Sequence, residues 1–95
     1  DLATIQLPGN ITCVLSHGHR YQVKSDLMIY AEVARNLGAK IAIYGHTHLY
    51  DDRTIGNIRF INPGALCGSR FDGPSYVLMT IYNGKIDVIK CNLEY

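Results

Sequence analysis

Apolar positions in the first third of the chain read as strands. Leu2, Ile5 and Leu7 are spaced through residues 1–7, and a second apolar run, Ile11-Thr12-Cys13-Val14-Leu15, follows. Pro8-Gly9-Asn10 separates them with turn-forming residues, which predicts an antiparallel hairpin of 2–7 with 11–16. Arg20 to Lys24 form a polar connector. The period then changes: Leu27, Tyr30, Ala31, Ala34 and Leu37 recur at helical spacing. With Ser25 as N-cap, Asp26 in the first turn and Gly38 as a left-handed stop, a helix is expected over about 25–37. A strand, Lys40–Tyr44, follows at once, so hairpin strand, helix and strand make an α/β unit.

From Leu49 onward the pattern is again that of strands. Gly56-Asn57 is the expected turn between Asp52–Ile55 and Ile58–Ile61, and Asn62-Pro63-Gly64 should break the sheet. Residues 65–74 read as a loop. Two longer strands, Ser75–Tyr82 and Lys85–Asn92, close the chain around Asn83-Gly84, a pair suited to the positive φ angles of a type I′ turn. The fold class is α/β, mostly β hairpins with one helix.

Composition narrows the function classes. The 95 residues are 47% hydrophobic and 18% charged with net charge +1, a balance that gives no electrostatic reason to expect nucleic acid as a partner. Cys13, Cys67 and Cys91 are odd in number and irregularly spaced, which argues against a disulfide framework and for a reducing, cytoplasmic setting. No run is long and apolar enough for a membrane span, so no membrane association is expected. The chain starts at Asp1 inside a strand-like segment, which raises the expectation that 1–95 is a partial domain.

All four histidines fall in two matching clusters, His17-Gly18-His19 and His46-Thr47-His48, each just after a β-rich run. Two loops at one sheet edge could aim imidazoles at a common centre, and imidazole suits Zn, Mn, Fe or Ni. His46 and His48 would share a face on a regular strand, or splay toward different ions on a tight loop after Gly45. Gly18 and Gly45 are expected to let the backbone turn sharply beside an ion.

The segments Leu15-Ser16-His17-Gly18-His19, Tyr44-Gly45-His46-Thr47-His48 and Ile61-Asn62-Pro63-Gly64, in this order, resemble the C-terminal half of the calcineurin-like metallophosphoesterases. More narrowly they are similar to the small YfcE-type phosphodiesterases, whose eukaryotic relative is Vps29. The Asn-Pro-Gly that starts fourteen positions after His48 is the more specific part of the match. The resemblance implies a four-layer α/β/β/α sandwich and a binuclear centre, with His17 and His46 on one ion and His48 on its neighbour. It implies two divalent ions, Mn foremost, with Zn, Ni, Fe or Mg as alternatives, and hydrolysis of a small phosphodiester. His19 has an accessory role in that scheme, and Asn62, Gly45 and Gly18 support the ligands from behind.

The departures matter as much. The family's Asp-x-His, Gly-Asp and Gly-Asn motifs, which supply its carboxylate ligands, are not found before His17. The chain is therefore expected to carry half of a two-metal site, to be a poor catalyst alone, and to be poorly soluble or to form homo-oligomers. Asp51 and Asp52 read as solvated turn residues and Cys67 as a buried packing thiol, while Arg70 is a candidate contact for substrate phosphate. Tyr30, Tyr44, Tyr76 and Tyr82 read as core or rim. A Vps29-like interaction scaffold with a vestigial metal site is the competing function.

Overall fold

The computed structural model describes residues 2–68 and 73–93. The chain forms β1 (Leu2–Leu7), β2 (Ile11–Ser16), a 3-10 turn (His19–Tyr21), α1 (Met28–Asn36), β3 (Ile41–Ile43), β4 (Tyr50–Ile55), β5 (Ile58–Pro63), β6 (Ser75–Tyr82) and β7 (Lys85–Asn92). The first five strands make one sheet in the order β1-β2-β3-β5-β4, and β6-β7 make a second. β2, β3 and β5 run parallel at the centre, with antiparallel β1 and β4 at the edges.

Both faces of the central strands are covered, which is why they read as continuous apolar runs rather than alternating ones. Alternation along each strand sends Val14, Ala42 and Phe60 to the helix side, where they pack with Tyr30 and Ala34 of α1. It sends Cys13, Ile41 and Ile61 to the opposite side, against Val77, Met79, Ile81, Ile86 and Val88 of the β6-β7 hairpin. The result is three layers: helix, five-stranded sheet, two-stranded sheet. Tyr30 is fully buried, and its hydroxyl donates to the Ile43 carbonyl at 2.6 Å, so the phenol meets the need of a buried polar group.

Both long hairpins form where the sequence places them. Asn83 (φ 49°) and Gly84 (φ 77°) supply the two positive φ angles of the β6-β7 turn. The helix is shorter than expected, and its start is different. Ser25 does not cap it: Gln22, at φ 57°, turns the chain back, α1 begins at Met28, and the Asp26 carboxylate accepts the Met28 N–H at 2.9 Å. Asp26 therefore lies before the first turn rather than in it. The C-terminal end closes on Gly38 (φ 71°), with Gly38 N–H to Arg35 O and Ala39 N–H to Ala34 O, both 3.0 Å, a Schellman ending.

Three further expectations shift. β3 is confined to Ile41–Ile43, and β5 continues through Asn62 to Pro63 because β4, starting at Tyr50, pairs with it that far. Tyr76 and Tyr82 are exposed on the outer face of β6, while Tyr30 and Tyr44 are core. Cys67 is an exposed free thiol on the turn closed by Gly68 N–H to Ala65 O, so it is not a packing residue. Among the described residues no helix is long and apolar enough to cross a membrane.

Candidate metal centre

Parallel pairing brings the two histidine clusters together. β2 and β3 lie in register with Leu15 opposite Ile43, so the chain leaves both strands at the same edge of the sheet. The Gly45 N–H donates to the His17 carbonyl at 3.0 Å and fixes the two exits against each other. His46 Nδ1 then stands 3.2 Å from His17 Nε2, with the rings edge to face at 5.1 Å between centroids. His19 also lies edge to face with His46, at 4.9 Å between ring centroids.

The first loop is shaped by steric necessity. Gly18 is buried at φ 98°, and a Cβ there would lie 2.6 Å from Cγ2 of Val23, itself a buried, β-branched residue with little room to move. Its N–H donates to Ser16 Oγ at 3.0 Å, and its carbonyl accepts from Tyr21 at 3.0 Å and Val23 at 3.4 Å. Those bonds fold residues 19–21 into the 3-10 turn that starts at His19.

The second loop is shaped by the histidines themselves. His46 (φ 68°) and His48 (φ 62°) both occupy the left-handed region, and the Thr47 N–H closes a γ-turn onto the Gly45 carbonyl at 2.7 Å. Gly45 does not carry the turn. A Cβ on it would meet His17 at 3.7 Å, ordinary contact, and its φ is not among the positive ones, which corrects the expectation that this glycine is needed for a sharp bend. What holds the loop is Asn62, fully buried at the end of β5. Its amide donates to Thr47 Oγ1 at 2.8 Å and to the Gly45 carbonyl at 3.3 Å, while its carbonyl oxygen accepts the Gly64 N–H at 3.0 Å. Strained backbone held by a satisfied buried amide is an arrangement that clusters at functional sites.

Electrostatics favour the neutral form of His46. Its partial desolvation, the Lys24 ammonium and the three other imidazoles all push its pKa below the usual histidine range. Neutral imidazole is the form that ligates metals. His17 and His46 thus present two facing ring nitrogens, donors suited to one divalent ion. His48 is exposed and acts on His46 through its charge, but no ring contact joins it to the others among the described residues. Nor, among those residues, does any group of three or more His, Cys, Asp and Glu side chains stand ready to hold an ion. The donor set is partial.

The acidic pair is engaged elsewhere. Asp51 and Asp52 lie in β4, not in a solvated turn. Asp51 Oδ2 accepts from the Tyr44 hydroxyl at 2.5 Å and from Arg53 Nε at 2.7 Å. Burial, and then the Asp51 carboxylate, push the Tyr44 hydroxyl pKa well up. Asp52 takes a two-point contact from Arg59, Nε to Oδ1 at 2.9 Å and Nη2 to Oδ2 at 2.8 Å, which holds its carboxyl below the usual range. Arg70 lies outside the described residues. Lys24 and the Tyr44-Asp51-Arg53 contact were not singled out from sequence, because no spacing rule links residues that only the left-handed turn at Gln22 and the β4 register bring to the histidine loops.

Sheet-edge histidine loops, an Asn-Pro-Gly clamp and layered α/β packing define a phosphoesterase-like class. Residues 2–84 match the calcineurin-like phosphoesterase superfamily domain, and the chain belongs to that family. Similar proteins include "Probable metallophosphoesterase YsnB" of Bacillus subtilis, 29% identical over 76 residues that cover 79% of this chain and 45% of that protein. A Mycoplasma pneumoniae protein, "Probable metallophosphoesterase", is 31% identical over 91 residues, covering 90% and 57%. The chain spans about half the length of these relatives. Among solved structures, a predicted phosphoesterase from Streptococcus pneumoniae TIGR4 superposes with TM-score 0.86 at 22% identity over 96% of this chain and 53% of that one, a likeness of fold. Vps29 of Entamoeba histolytica, solved with zinc, follows at TM-score 0.76 and 27% identity, covering 97% and 60%. The expected mixed α/β fold, mostly strands with one α-helix, is the one observed, and over nearly the whole chain it superposes on these neighbours.

Proposed function

We propose that this chain carries the histidine-bearing part of a metal-dependent phosphodiesterase that hydrolyses a small phosphodiester in the cytoplasm. The observation that supports the reading most is the facing pair His17 Nε2 and His46 Nδ1, 3.2 Å apart on loops fixed by Gly18 and Asn62. In this reading His17 and His46 hold one divalent ion and His48 its neighbour, with Mn as the working metal and carboxylate ligands supplied from outside the described residues. Bound ions of this kind polarise phosphoryl oxygens and lower the pKa of water. The chain's own residues do the rest. Asn62 keeps the His46 loop in its strained form, Gly45 ties that loop to His17, and His19 packs edge to face beside His46.

Hydrolysis of bis-p-nitrophenyl phosphate with Mn²⁺ tests the proposal. His46→Ala should abolish turnover, and equal rates in both proteins would remove the catalytic role. A second reading, an interaction scaffold of the Vps29 kind that also self-associates, draws on the outer face of β6-β7, where Leu78, Tyr82 and Ile89 are exposed together. It predicts that Leu78→Asp changes the oligomeric state by sedimentation and that the wild type shows no metal-dependent hydrolysis.

A further inference from the structure

A cavity of about 370 Å³ adjoins the histidine loops, between the approach to α1 and the start of β4. It lies at the carboxyl edge of the parallel strands, where open α/β sheets take their ligands, and its volume is in the small-molecule range. Thr47, between the two histidines of the second loop, is part of its wall, so cavity and histidines share a boundary.

The charges on that wall are not equally available. Arg53 is bonded to Asp51, and the same Asp51 oxygen also takes the Tyr44 hydroxyl. Asp26 accepts the Met28 N–H at the helix end of the cavity. Lys24 is exposed, has no ion pair or hydrogen bond among the described residues, and shares the cavity wall with Thr47 of the second histidine loop. An unpaired ammonium on a wall shared with a histidine loop that would gather metal cations is electrostatically unfavourable alone. An anion lying between them turns the repulsion into attraction, and a phosphoester supplies one.

Resting on the phosphodiesterase reading above, we propose that Lys24 positions the substrate phosphate and that the cavity receives the ester's alcohol group, a single ring-sized substituent set against Leu49 and Tyr50. Lys24 acts by holding an anion at the mouth of the cavity, and the apolar part of the wall selects the group attached to it.

The test uses Mn²⁺-loaded protein in wild-type form and as Lys24→Gln, Lys24→Arg and Leu49→Trp, with folding checked by circular dichroism. Inorganic phosphate affinity is read by isothermal titration calorimetry, and KM and kcat are measured with bis-p-nitrophenyl phosphate. Lys24→Gln should weaken phosphate binding and raise KM by about tenfold with kcat little changed, and Lys24→Arg should restore both. Leu49→Trp should raise KM about fivefold without altering phosphate affinity, because it fills only the alcohol pocket. Unchanged phosphate affinity in Lys24→Gln, or absent phosphate binding in the wild type, overturns the role of Lys24. Unchanged KM in Leu49→Trp overturns the pocket. If Lys24-dependent phosphate binding appears without any hydrolysis, the anion site stands and the phosphodiesterase reading falls; hydrolysis with Lys24-independent phosphate binding gives the reverse.

Discussion

The two histidine loops look like copies in sequence, a histidine on each side of one residue after a β-rich run, yet they are held by opposite means. In the first, a glycine takes the strained backbone and leaves no space for a side chain, so the loop is fixed by its own main chain and Val23. In the second, the strain falls on His46 and His48, and a side chain from a distant strand, Asn62, holds them in place. The difference shows where each loop's sequence is constrained: at the central residue of one cluster, and at a partner fourteen positions beyond the other.

The largest contrast should come from equivalent glycine substitutions. Gly18→Ala places a Cβ against immobile Val23 at positive φ and should cost about 3 kcal/mol, whereas Gly45→Ala should cost under about 0.5 kcal/mol. Paired urea melts measure both, and equal losses would erase the distinction between the loops. Asn62→Ala comes next. It strands the Gly64 N–H and frees Thr47 and Gly45, for a loss of about 2 kcal/mol and a tenfold or greater drop in metal affinity. Calorimetric metal titration of that variant at a temperature well below its melt separates the two effects.

His46→Gly should move in the other direction. Glycine accepts φ 68° without strain, so the variant should gain about 1 kcal/mol in stability while losing hydrolysis, a trade that a merely structural histidine would not show. The smallest effect concerns pH. Arg59 holds the Asp52 pKa below its unfolded value, so the pair's contribution is complete above about pH 4 and is lost as pH falls through the lower, folded pKa. Melts at pH 7 and pH 3 should show the wild type losing about 1 kcal/mol more than Asp52→Asn on acidification. An identical loss in the two would place the acid sensitivity elsewhere.

How far the sequence spoke depends on how local each interaction is. The hairpins 2–7/11–16 and 75–82/85–92 were legible because apolar patterning and turn residues such as Asn83-Gly84 act within a few positions. The histidine clusters and the Asn-Pro-Gly segment were legible as a pattern. The placement of β5 between β3 and β4 was not, since strand order depends on pairing across the sheet. For the same reason the sequence suggests turn residues at Asp51 and Asp52, which lie in β4: Asp52 is bound by Arg59 of the paired strand β5, and Asp51 by Arg53 of its own strand and by Tyr44 just past β3. The helix start moved from Ser25 to Met28 because Gln22 adopts a left-handed conformation that no propensity signals. Cys67 is exposed although free thiols favour the core, because the turn it sits on, not the thiol's own preference, decides its burial.

The central claim is that His17 and His46 together hold a divalent ion. It is tested most directly by metal content, measured by mass spectrometry, of untagged protein dialysed against Mn²⁺, in the wild type and in His17→Ala and His46→Ala. Bound manganese in the wild type, lost in both variants, is the predicted result; a wild type without bound metal, or variants that retain it in full, would contradict the account.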